Sequence, residues 1–151
     1  MAKNESRKVY ESREVKTYRE MIEYSTKNYA ENIAYTYKKD YTAKEVEYVE
    51  KTYEQVGKDV KAFSTLLLNK NLEGKRVVLI GNNRYEWCIT YFATTTGNMV
   101  IVPMDKALPD NEIESLVKRS EAEVAVFDKK YAEVMKKIKK DDSTNLNMLI
   151  C

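Results

Sequence analysis

The sequence predicts an α/β fold: a parallel sheet with flanking helices, preceded by a helix and a small β-hairpin. Three observations carry that reading. First, "RVVLIG" (76–81), "MVIVPM" (99–104) and "EVAVFD" (123–128) are apolar runs of strand length. Second, helical patterns separate them, and strands alternating with helices imply parallel pairing through right-handed crossovers. Third, the first two runs are nearly continuous in apolar residues, as in strands buried on both faces.

The elements follow in order. Residues 17–29 place Tyr18, Met21, Ile22 and Tyr29 on one helical face. "IAYTYK" (33–38) alternates Ile33, Tyr35 and Tyr37 with Ala34, Thr36 and Lys38, which is strand spacing. "EVEYVE" (45–50) returns as the second strand of a hairpin. Thr52 and Gln55 then match a capping box, in which the threonine oxygen takes an orphan amide and the glutamine reaches back. Tyr53, Val56, Val60, Phe63 and Leu67 continue that helix at spacings of three and four, and Gly74 turns the chain into the first buried strand. Residues 84–96 form the next helix, and "MVIVPM" reads as a second buried strand. Pro109 takes the first helical position of the following helix, with Asp110 and Glu112 favourable to its dipole. Ile113, Leu116 and Val117 are its inner stripe. After "EVAVFD", Tyr131, Val134, Met135 and Ile138 mark a last helix, and "LNMLIC" (146–151) begins a fourth strand.

Composition narrows the function. The chain has 151 residues, 33% charged and 43% hydrophobic, with 26 Lys plus Arg against 24 Asp plus Glu. A net charge of +2 gives no whole-protein attraction to nucleic acid or anionic membrane. Histidine is absent, which removes the commonest general base and the usual zinc ligand. Two cysteines, Cys88 and Cys151, do not make a metal site by themselves, and Cys88 reads as a buried free thiol inside an apolar helix. The charged N-terminus has no apolar signal core. Residues 87–104 lack charge but are broken by threonines, Gly97, Asn98 and Pro103, so they read as helix then strand and not as a membrane span. A cytoplasmic location is expected. Residues 1–14 are expected to be disordered or extended. Residues 15–151 are expected to form a partial α/β subdomain, truncated at its C-terminal end, because the sequence stops inside an apolar strand-like run.

Several stretches imitate ligand sites. "LIGNNRYEW" follows a strand and opens a helix, but it holds one glycine, Gly81, where a dinucleotide loop needs several. Asn83 with Glu86 three residues on reads as a helix cap, and Glu86 would repel a phosphate. "TTTG" (94–97) ends a helix, so Gly97 or Asn98 is read as its C-terminal cap. Asp105 follows the second strand, and two readings stand: it binds a cation or ligand, or it caps the loop entering the Pro109 helix. The six lysines of 129–140 read as a solvated helix face. Nine of the twelve tyrosines precede residue 54, but acids and bases are about balanced there, so they read as core and rim residues and not as a nucleic-acid platform.

The order of segments from Thr52 to Asp128 resembles the opening of the adenylate-forming (AMP-binding) enzymes. "GNNRYEW" and "VIVPMDKALPDNEIESLVKRSEAEVAVF" are most similar to the long-chain fatty acyl-CoA synthetases. The resemblance covers roughly residues 15–150. It implies the first subdomain of the acyl-CoA synthetase N-terminal domain. It implies a parent enzyme that activates a fatty or other carboxylic acid with ATP and Mg2+ to an acyl-adenylate, which coenzyme A thiol then attacks. The family's Ser/Thr/Gly-rich phosphate loop ending Gly-x-Pro-Lys and its later motifs have no match here. No catalytic, cofactor-binding or metal-binding residue is therefore carried over. The expectation is an inactive N-terminal fragment whose partner is the rest of the parent chain, with apolar surface left exposed for self-association. The alternative is a self-contained, non-enzymatic α/β binding or interaction module.

Overall fold

The computed structural model describes residues 14–40, 42 and 44–151. The expectation for residues 1–14 falls, except for Glu14, outside the described residues.

Helix α1 (Tyr18–Asn28) is capped by Thr17, whose Oγ1 accepts from the Glu20 amide at 3.1 Å. Strands β1 (Ile33–Lys38) and β2 (Tyr48–Thr52) pair antiparallel as a separate two-stranded sheet. The second strand starts three residues later than the sequence suggested and runs into Thr52. That residue is also the N-cap of α2 (Tyr53–Leu68). The capping box is complete: the Gln55 amide donates to Thr52 Oγ1 at 3.3 Å, and the Thr52 amide donates to Gln55 Oε1 at 2.9 Å. Helices α1 and α2 touch at Gly57, where an added Cβ would lie 2.6 Å from Thr26 Oγ1. Only a residue without a side chain allows that approach.

The main sheet holds β3 (Arg76–Ile80), β4 (Val100–Met104), β5 (Val124–Phe127) and β6 (Met148–Ile150). All its pairs are parallel, in the order β4–β3–β5–β6. Helix α3 (Tyr85–Thr96) links β3 to β4, and α4 (Asp110–Ser120) links β4 to β5. A 3-10 turn (Lys129–Tyr131) and α5 (Ala132–Lys139) link β5 to β6.

Strand pleating divides the core between two faces. Val78, Ile80, Ala125 and Phe127 pack with Ile113 and Val117 of α4 and with Met135 and Ile138 of α5. On the other face Val77 and Val124 pack with Leu67, Leu72 and Met99. Above them α2 and α3 share Val56, Val60, Tyr85, Ile89 and Ala93.

Four expectations change. Strand β4 is not a fully buried strand but lies at a sheet edge, with Val100 50% exposed. Edge placement also explains how Pro103 is tolerated within a strand. Asn83 does not cap α3: the N-cap is Arg84, in extended backbone and without a side-chain cap. Glu86 nonetheless stays in the first turn. Pro109 is the N-cap of α4 and Asp110 its first residue, because Pro109 has an extended ψ of 157°. Cys88 is partly and not fully buried, on the α3 face turned toward β1.

Candidate functional site

In a doubly wound sheet, ligands gather where neighbouring strands send their chains to opposite faces, beyond the strands' C-terminal ends. Here that point lies between β3 and β5. The chain leaves β3 through Gly81–Arg84 into α3, on the α2 side. It leaves β5 through Asp128–Tyr131 into α5, on the α4 side. The turn after β4, Asp105–Ala107, forms the neighbouring wall.

This crevice is filled by the protein's own groups. The Asn82 amide donates to Asp128 Oδ2 at 2.7 Å. An added Cβ at Gly81 would come within 3.0 Å of the Asp128 carboxyl carbon. Gly81 therefore serves close approach and not a special backbone angle, since the one glycine at positive φ is Gly74. An anion at this turn would face the Asp128 carboxylate and compete with it for the amide. The Asp128 carboxylate thus stands where a phosphate oxygen would take the Asn82 amide.

The other walls are also tied internally. Asp105 Oδ1 accepts from the Ala107 amide at 2.9 Å, which makes it a loop-capping residue. The Tyr131 hydroxyl donates to the Lys106 carbonyl at 2.6 Å, joining the turns after β4 and β5. Lys130 stands 4.5 Å from the Tyr131 ring centroid, a cation–π arrangement. Arg84, Lys106, Lys129 and Lys130 are exposed around the mouth.

The remaining sequence candidates resolve as structure. Thr94 is fully buried, and its hydroxyl has no hydrogen-bond partner. Thr95 and Thr96 bond back to the carbonyls of Tyr91 and Phe92. Gly97 is the α3 C-cap, with Asn98 left-handed beside it at φ 61°. "TTTG" is therefore a helix end and presents no hydroxyl cradle. In the basic run, Lys136 pairs with Glu133 and Lys137 with Glu114. Among the described residues no group of three or more Cys, Asp or Glu side chains could hold a metal ion. No helix among them is long and apolar enough to cross a membrane.

Two features were missed from sequence. The first is Asp128, which stands just before the basic run of 129–140. Its place directly after a strand was the available signal. The second is an aromatic and ionic cluster beside the crevice. Tyr85, the first residue of α3, donates its hydroxyl to Asp59 Oδ2 at 2.7 Å. Burial, and then that bond, drive the Tyr85 pKa far above the usual tyrosine range. Burial and a hydrogen bond with Cys88 push neighbouring Tyr35 up to about 12.

Comparison with known proteins adds a family and a fold. A profile of the AMP-binding enzyme family matches residues 22–150. No curated protein matches by sequence. Among solved structures, the inhibitor-bound N-terminal domain of FACL13 from Mycobacterium tuberculosis aligns with a TM-score of 0.76 at 19% identity. That alignment covers 90% of this chain and 33% of that one. A Mycobacterium tuberculosis fatty acyl CoA synthetase aligns at 0.75 and 20% identity, over 89% of this chain and 26% of that one. A long-chain-fatty-acid-CoA ligase from Archaeoglobus fulgidus aligns at 0.75 and 16%, over 88% and 26%. The fold is thus shared, and the chain spans a third or less of the length of each of these structures.

Proposed function

The chain belongs to the AMP-binding enzyme family, and from that premise we propose that it is the opening segment of an ATP-dependent acyl-CoA synthetase. In this reading it is a scaffold, inactive alone. The parent enzyme activates a fatty acid, or another carboxylic acid, with ATP and Mg2+ and passes the acyl group to coenzyme A. The long-chain fatty-acid branch is favoured by the "GNNRYEW" and "VIVPMDKALPDNEIESLVKRSEAEVAVF" segments. The single observation that carries the scaffold role is the switch point closed by Asp128 on the Asn82 amide. The Asp128 carboxylate takes the Asn82 amide and would repel a phosphate brought to the same turn. ATP, Mg2+ and coenzyme A are accordingly assigned to the rest of the parent chain.

The test is direct. The 151-residue chain is assayed for fatty-acid-dependent pyrophosphate exchange and for thermal shift with ATP and Mg2+. No exchange and no shift are expected. A ligand that binds the native state raises its melting temperature, so a clear ATP-dependent rise, or turnover, overturns the scaffold reading. The coding sequence around this segment supplies the second arm. A frame several times longer, carrying the Gly-x-Pro-Lys loop, supports the synthetase. A frame of this length alone favours a non-enzymatic interaction module.

A further inference from the structure

The β1–β2 hairpin shares no ladder with the main sheet. A two-stranded hairpin is marginally stable at best in water, so its attachments decide whether it stays docked. At its base the attachment is backbone. The Tyr53 amide donates to the Asn32 carbonyl at 3.0 Å, and the Glu54 amide to the Ala30 carbonyl at 3.1 Å. Farther along, the contacts to the helices are made by side chains. Tyr37 stacks on Tyr85 with centroids 5.4 Å apart and planes 9° apart. Tyr35 meets the same ring edge-on at 5.4 Å. The Tyr85 hydroxyl donates to Asp59 Oδ2, and Lys51 of β2 reaches that same oxygen at 3.5 Å. Its ammonium lies 5.3 Å from the Tyr85 ring centroid. Toward the far end Val46 and Tyr48 are exposed to solvent.

We propose that the hairpin is a strap, hinged at Asn32 and Thr52, held over the first turn of α3 by a clasp of Tyr85, Asp59 and Lys51, and able to open as a unit while the main sheet stays folded. Both hinge residues sit beside the backbone bonds that persist on opening. Tyr85 follows the Gly81–Arg84 turn directly, so opening uncovers the flank of the switch-point crevice. The inference rests on the packing of the hairpin and stands whether or not the parent is a synthetase.

Native-state hydrogen exchange on the whole 151-residue chain, read as a function of urea, tests it. The amides of β1 and β2 are expected to exchange together. Their opening free energy and urea slope should both be smaller than those of β3 and β5, because a local opening exposes less surface. Asp59→Asn keeps an acceptor for the Tyr85 hydroxyl and removes the charge that Lys51 of β2 reaches. It should speed hairpin exchange by about two- to fivefold, as expected for losing a partly exposed ion pair, and Lys51→Met should act in the same direction. Hairpin amides that follow the same urea dependence as β3 and β5 in the unaltered chain overturn the strap. Hairpin rates unmoved in both variants overturn the clasp. The first reading needs no variant, so a poorly folding substitution does not spare the proposal.

Discussion

Gly81 and Asp128 occupy one space: a Cβ on the first would stand 3.0 Å from the carboxyl carbon of the second. The empty side-chain position at the end of β3 is what lets the carboxylate at the end of β5 reach the Asn82 amide at 2.7 Å. The turn that imitates a phosphate loop is thus a strand-to-strand lock. Gly81→Ala should destabilise the chain by about 1–3 kcal/mol, the usual cost of overpacking a fixed neighbour. Asp128→Ala should cost about 1 kcal/mol for the lost acceptor. In the double variant the alanine at 81 no longer meets a carboxylate, so the two costs should not add. Urea denaturation of the four proteins of the cycle measures this, and strict additivity would disprove the lock.

The Thr52–Gln55 box joins the hairpin to α2 within one turn of chain. Thr52→Ala removes an acceptor from a helix start that is also a strand end, and should cost about 1 kcal/mol. Thr52→Ser should recover most of that, since serine caps equally well. A stability loss that serine does not restore would assign the effect to the threonine methyl packing and not to the cap.

How much of this was legible depends on how far apart the interacting residues lie. The capping box was readable because its partners are three residues apart. The strands at 76 and 124 were readable because burial on both faces leaves an apolar run in the sequence, and the strand at 100 because its run is apolar although only partly covered. The edge position of β4 was not, because strand order is fixed by pairing between distant segments, and "MVIVPM" is as apolar as a central strand. Asn83 and Arg84 divide a single signal: both precede a helix with Glu86 in its first turn, and only the backbone angle at Arg84 decides. The Asn82–Asp128 and Tyr85–Asp59 bonds span 46 and 26 residues, and no local pattern announces either.

Acid stability should depend on one small ion network. Lys118 pairs with both Glu114 and Asp141, and Lys137 pairs with Glu114. Asp141 is held well below the ordinary carboxylate range, first by the Lys118 bond and then by Ser143. Glu114 is lowered first by Lys137 and then by Lys118. A carboxylate held low contributes stability above its unfolded pKa and loses it as pH falls through the folded one. Stability should therefore decline below about pH 4, where unfolded carboxylates begin to take protons. Asp141→Asn should flatten that decline, and high salt should shrink the difference because the groups are partly exposed to solvent. Equal acid limbs for the two proteins at low salt would remove Asp141 from the account.

The outer edge of β6 predicts how the isolated chain behaves at high concentration. No further strand pairs with β6 among the described residues, and Met148, Leu149 and Ile150 are only partly covered. Parallel sheets are ordinarily covered on both faces, and an uncovered apolar edge is a template for another chain. Leu66 and Val100 add apolar surface elsewhere, at 48% and 50% exposure. Self-association should thus rise with concentration in light scattering. Ile150→Lys places a charge at the edge, which opposes edge-to-edge pairing, and should lower the associated fraction while the melting transition stays cooperative. A monodisperse monomer across the whole concentration series would mean that the β6 edge does not recruit a second copy.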